Sequence, residues 1–116
     1  MSNFSINKGD IVLAPFQFTE SEGAKLRPAL VWDVTPVSAT LIYISSVKMD
    51  KQFATEFTLY EDDAKAIGLS KASRIDFGKQ NRILITDIGR KLGHLQNLQR
   101  SRLKGCFQAA IAAGLI

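Results

Sequence analysis

The sequence predicts a mainly β fold with one helix: a small, strongly curved antiparallel barrel or sheet capped by a C-terminal α-helix. Two observations predict it. Five to seven short runs rich in β-branched and aromatic residues, separated by Gly, Pro and polar clusters, fill the chain as far as Ile85. An apolar stripe of helical period then closes it.

The elements follow in order. Lys8-Gly9-Asp10 reads as a turn, and Ile11–Phe16 as a first strand whose Pro15 marks an edge or a strand end. Gln17–Lys25 is polar and aperiodic, hence an exposed loop. Pro28–Val34 is nearly continuous in apolar residues, which fits a central strand covered on both faces. Thr40–Ile44 is a third strand and runs into Ser45-Ser46. Thr55–Leu59 alternates, with Phe57 and Leu59 on one side and Glu56 and Thr58 on the other. Glu61–Gly68 suits a helical turn with acids at its N-terminus and Gly68 as its stop. In Ser73–Phe77, Ile75 and Phe77 face inward and Arg74 and Asp76 outward; Arg82–Ile85 is a further short strand. Leu103, Cys106, Phe107, Ala110 and Ile111 form the helical stripe, with Asn97 as N-cap and Gly114 as C-terminal stop.

Length and composition bound the function. The 116 residues are 46% apolar and 22% charged, so one globular domain spanning 1–116 is expected rather than disorder. The lone Cys106 cannot form an internal disulfide, and the first residues lack the basic region and apolar core of a signal peptide. With no run long enough to span a membrane, a cytoplasmic location is expected. The formal charge is +4 but uneven. Residues 1–73 carry seven basic and nine acidic side chains, and residues 74–116 carry eight basic and two acidic. A basic half of this kind attracts polyanions.

Much chemistry is excluded. A single histidine, His94, rules out a two-histidine ribonuclease and reads as a surface or capping residue beside a turn glycine. No Cys or His pair has metal-ligand spacing, and neither a Gly-rich phosphate loop nor a G-x-S-x-G elbow is present. Arginine, carboxylate and hydroxyl remain. Pro28 holds Arg27 extended at the boundary between loop and strand, where a planar guanidinium can meet a phosphate or pair with Glu20 or Glu22. Ser45 and Ser46 end a buried strand and can donate to an anion or cap their own backbone. Arg74 and Asp76 share one face of a strand, as acid and base or as an exposed ion pair.

Taken together, these residues resemble the MazF/PemK family of toxin endoribonucleases over roughly residues 8–111. Lys8-Gly9-Asp10-Ile11-Val12-Leu13 is similar to the family's G-D-[IVL] first strand. Ser21-Glu22-Gly23-Ala24-Lys25-Leu26-Arg27-Pro28-Ala29-Leu30-Val31 is similar to its S-E-x-x-x-x-R-P-x-[LV]-V signature. Ile44-Ser45-Ser46 falls at the family's Ile-Thr-Ser segment, and Arg74-x-Asp76 at the R-x-D of some members. Two departures stand out: Ser45 replaces the usual threonine, and Ser21 sits where some members have histidine.

The resemblance implies an SH3-like antiparallel barrel of the CcdB/MazF/PemK kind with a C-terminal helix, acting as a homodimer. It implies metal-independent, cofactor-free cleavage of single-stranded RNA, and a cognate antitoxin that covers the RNA groove. Operator DNA would be bound only by the toxin–antitoxin complex. Arg27 would contact the phosphate, Ser45 would supply the hydroxyl, Glu22 the loop carboxylate, and Arg74 and Asp76 acid and base. Lys25, Ser46, Lys48 and Lys79 are the candidate RNA contacts. Two other classes stay open: a non-catalytic nucleic-acid-binding barrel, and a module that binds only an acidic antitoxin-like tail.

Overall fold

The computed structural model describes residues 5–16, 25–46 and 56–114. Six strands form one antiparallel sheet: β1 (Asp10–Phe16), β2 (Lys25–Val34), β3 (Ser38–Ser45), β4 (Glu56–Leu59), β5 (Ser73–Leu84) and β6 (Lys91–His94). Their spatial order is β4-β5-β3-β2-β1-β6, an open, curled half-barrel. Helix α1 (Glu61–Ala66) links β4 to β5, a 3-10 turn covers Ile85–Asp87, and α2 (Asn97–Ala112) closes the described chain.

Both sheet faces are covered, as the apolar run of β2 predicts. On one face Ile11, Leu30, Ile42, Ile44, Phe57, Ile75 and Phe77 pack beneath α1 and α2. Leu103 and Ala110 are the buried residues of the α2 stripe, with Cys106 and Phe107 partly buried. Ile111, expected in that stripe, is 50% exposed. Trp32 locks α2 down: its ring lies 5.1 Å from Phe77 in a T-shape and 4.6 Å from Phe107. Such pairs contribute about 0.5–1.5 kcal/mol each beyond their buried area. On the other face the sheet curls over its own side chains, among them Val12, Ala14, Ala29, Val31, Leu41, Tyr43 and Ile88.

Three expectations change. The two short strands of 73–85 are one strand, β5, interrupted by a register shift. Ile42 pairs with Gln80 while the next residue, Tyr43, pairs with Asp76. The extra residues bend β5, and Asp76 Oδ1 accepts the Gly78 N–H at 2.9 Å inside the bend. Lys91–His94, where Gly93 reads as a turn glycine, is strand β6 against β1. The buried carboxylate of Asp10 ties the two together, meeting His94 Nδ1 at 2.6 Å, Lys91 Nζ at 3.3 Å and the Asn7 N–H at 2.8 Å. Arg74 and Asp76, expected to face solvent, are buried, because the second face of the sheet is a core as well. Pro15, by contrast, sits beyond the residues of β1 that pair with β6, as a strand end should.

Gly68 stops α1 with φ 94°. It also meets Gly93 of β6 at a backbone crossing. A Cβ at Gly93 would lie 2.1 Å from the Ile67 carbonyl oxygen, and one at Gly68 2.1 Å from that of Leu92. Neither backbone can yield cheaply. Gly93→Ala is therefore expected to destabilise the fold by about 2 kcal/mol or more, read as a lower urea midpoint. An unchanged midpoint would show that the crossing is not tight. Gly105, by contrast, has open space around it and marks no close packing.

Candidate nucleic-acid site

The ends of β2 and β3, the loop after α1 and the start of β6 enclose a cleft of about 500 Å³. The sequence places Arg27 and Ser45 there through strand parity. In β2, Arg27 shares its side with Ala29 and Val31; in β3, Ser45 shares its side with Leu41 and Tyr43, the same face of the sheet. Arg27, Ser45 and Ser46 all line the cleft. Arg27 is half-buried, which leaves its side chain access to a ligand, and Ser45 is 4% exposed.

Three further lining residues carry chemistry that the sequence reading did not assign: Lys71, Arg90 and Tyr43. With Arg27 they give the cleft three cations, several hydroxyls and no carboxylate among its described lining. Such a surface favours an anion. Lys71 and Arg90 carried no motif; only the folding of their loops onto the ends of β2 and β3 brings them together.

Arg74 and Asp76 stand one strand further on. Register pairs Ser45 with Arg74 and Tyr43 with Asp76, so these side chains are neighbours on one face. They do not line the cleft itself. Instead they form a buried charge cluster with Glu56 of β4. Arg74 Nη1 donates to Glu56 Oε1, and Asp76 Oδ2 lies 3.7 Å from the same nitrogen. The three side chains are 5–12% exposed. Glu56 escaped sequence analysis as a site residue. Its alternation showed which side of β4 it occupies, but its partner is 18 residues away on another strand.

Glu56 is held from behind as well. The Cys106 thiol on α2 donates to the Glu56 carbonyl oxygen at 3.3 Å, and burial raises the pKa of that thiol. Of the remaining candidates, Lys25 is exposed at the start of β2. Lys79 is exposed, its ammonium 5.8 Å from the centre of the Tyr43 ring. Glu22, Lys48 and Ser21 lie outside the described residues. Among the described residues no group of three or more His, Cys, Asp or Glu could hold a metal ion, and no helix is long and apolar enough to cross a membrane.

No family model matches the chain, and no curated protein does. Solved structures do. The Mycobacterium tuberculosis toxin MazF-mt6 superposes with a TM-score of 0.71 at 21% identity, over 89% of this chain and 96% of that one. An endoribonuclease from a mycobacterial species, solved in complex with its cognate antitoxin, gives 0.71 at 10% identity over 97% and 98%. A further structure of an M. tuberculosis toxin gives 0.63 at 21% identity, over 87% and 98%. The chain has a MazF/PemK-like fold.

Proposed function

We propose that this chain is the toxin of a type II toxin–antitoxin system, a metal-independent endoribonuclease that cuts single-stranded RNA at selected sequences. The observation that carries the reading is the cationic cleft that joins Arg27 and Ser45, with Asp76 and Arg74 on the adjoining strand. The fold it shares with MazF toxins supports it. One structural neighbour is an endoribonuclease bound to its cognate antitoxin, which supports an antitoxin as partner here. A homodimer in the cytoplasm, with operator DNA bound only by the toxin–antitoxin complex, belongs to the same reading.

In this mechanism the RNA 2′-oxygen attacks the adjacent phosphorus and the bond from phosphorus to O5′ breaks. The 2′ proton passes to Asp76 or Glu22, and O5′ takes a proton from solvent water to leave as a 5′-hydroxyl. The products are a 2′,3′-cyclic phosphate and that hydroxyl. The phosphorane carries more charge than the ground state, so donors aimed at it act on the transition state. Arg27 and Ser45 are those donors. Arg74 contributes charge rather than a proton, because a guanidinium is a very weak acid. Lys25, Ser46, Lys48 and Lys79, with Lys71 and Arg90, hold the flanking phosphates. Unstacked bases supply the sequence selection.

The nucleophile is testable. Once a cut site is mapped, an RNA with a single deoxyribose at that position should bind with similar affinity and stay intact, while the all-ribose strand is cut. Cleavage of the deoxy-substituted strand would refute attack by the 2′-hydroxyl. One observation favours a second reading, a catalytically inactive module that binds nucleic acid or an antitoxin. The charge of Arg74 is already met by two carboxylates. All-ribose RNA that stays intact across several unrelated sequences, so that no cut site can be mapped, would select that reading.

A further inference from the structure

We propose that Glu56 is a positioning residue of the RNA site, fixing the guanidinium of Arg74 beside Ser45. The inference rests on the ribonuclease reading and adds a residue to it.

The cluster is costly to bury. Glu56 and Arg74 are both almost wholly buried, and Glu56 Oε2 is buried with no hydrogen-bond partner among the described residues. A buried ion pair with an unsatisfied oxygen is poorly explained by stability, since apolar side chains of the same volume serve as well or better. The backbone of Glu56 is nevertheless held from two sides. Its strand neighbour Phe57 packs in the core, and the Cys106 thiol on α2 donates to its carbonyl oxygen. Glu56 also lies opposite Asp76 in the β4–β5 register, so its side chain reaches diagonally to Arg74.

An arginine side chain has several rotatable bonds, and a substrate that had to order them would lose that freedom on binding. Here the carboxylates of Glu56 and Asp76, both at Nη1, order the guanidinium beforehand. The strand register sets it next to Ser45, which lines the cleft. Preorganised charge of this kind acts on the transition state without reorganisation. A mere through-space effect of Glu56 would have the opposite sign: removing its negative charge would favour an anionic substrate.

A double-mutant cycle separates the two. Glu56→Gln keeps the volume and an acceptor but loses the charge that orients Arg74. It is expected to lower kcat about 10- to 100-fold with KM within about threefold of the parent. Glu56→Asp, which keeps the charge, should recover part of that loss. In an Arg74→Gln background, Glu56→Gln should cost almost nothing more. Full activity of Glu56→Gln, or costs that simply multiply, would overturn the assignment while cleavage by the parent leaves the ribonuclease reading intact. Melting curves taken alongside identify any variant that has lost its fold, and Glu56→Asp then carries the comparison. If the parent cuts no RNA, the ribonuclease reading falls, and the same cycle is read in RNA affinity. Coupling between positions 56 and 74 there would keep the positioning role, and its absence would end it.

Discussion

Arg27→Ala is expected to cut RNA about 100- to 1,000-fold more slowly than the parent, the range for loss of a donor aimed at a developing oxyanion. The expectation rests on position. Arg27 lines the cleft from β2 and shares that cleft with Ser45. It carries the planar fork that matches two phosphate oxygens at once. Arg27→Lys restores the charge without the fork and should recover only a small part of the rate. Because Arg27 is half-buried near a strand end, the variant should melt close to the parent, so the loss reads as chemistry rather than unfolding. A full-rate Arg27→Ala enzyme would remove Arg27 from the mechanism.

Arg74→Ala is expected to act on stability before it acts on rate. It leaves Glu56 and Asp76 buried on facing positions of β4 and β5 with no cation between them. Removing one partner of a buried pair typically costs about 3–5 kcal/mol. For a domain near 100 residues that is a fall in Tm of about 12–20 °C. Adding Glu56→Gln to Arg74→Ala removes one of the stranded charges and should restore part of the loss. Thermal unfolding of the two variants beside the parent checks both statements. A Tm for Arg74→Ala within about 2 °C of the parent would mean that the cluster is solvated and that its burial has no energetic weight.

The fold was more legible than the site. Period-two alternation placed Phe57, Leu59, Ile75 and Phe77 in the core, and the apolar run of β2 pointed to a strand covered on both faces. Those signals are local, and local patterns survive in a single sequence. The bent middle of β5 was visible only as two fragments, since Gly78–Asn81 breaks the apolar rhythm where the register shifts. Strand β6 was missed because Gly93 looks like a turn; its lack of a side chain serves the crossing with Gly68 instead.

Arg27 and Ser45 could be singled out because each sits at the junction of a polar stretch and a buried strand. That they share a cleft follows from the pairing of β2 with β3, which the sequence does not state. Arg74 and Asp76 were assigned to solvent for a sound local reason: alternating strands usually have one wet face. The curl of the sheet covers that face, and with it comes Glu56, a partner that only long-range pairing reveals. Lys71 and Arg90 are invisible for the same reason. They stand far apart in sequence and meet across the cleft.

Incubating the purified chain with a long single-stranded RNA in EDTA and identifying the new ends decides whether it is a metal-independent ribonuclease. A few discrete fragments are expected that carry 2′,3′-cyclic phosphate and 5′-hydroxyl termini, absent when Arg27→Ala replaces the parent. RNA that stays intact across several unrelated sequences, or fragments that persist with Arg27→Ala, would contradict the proposed activity.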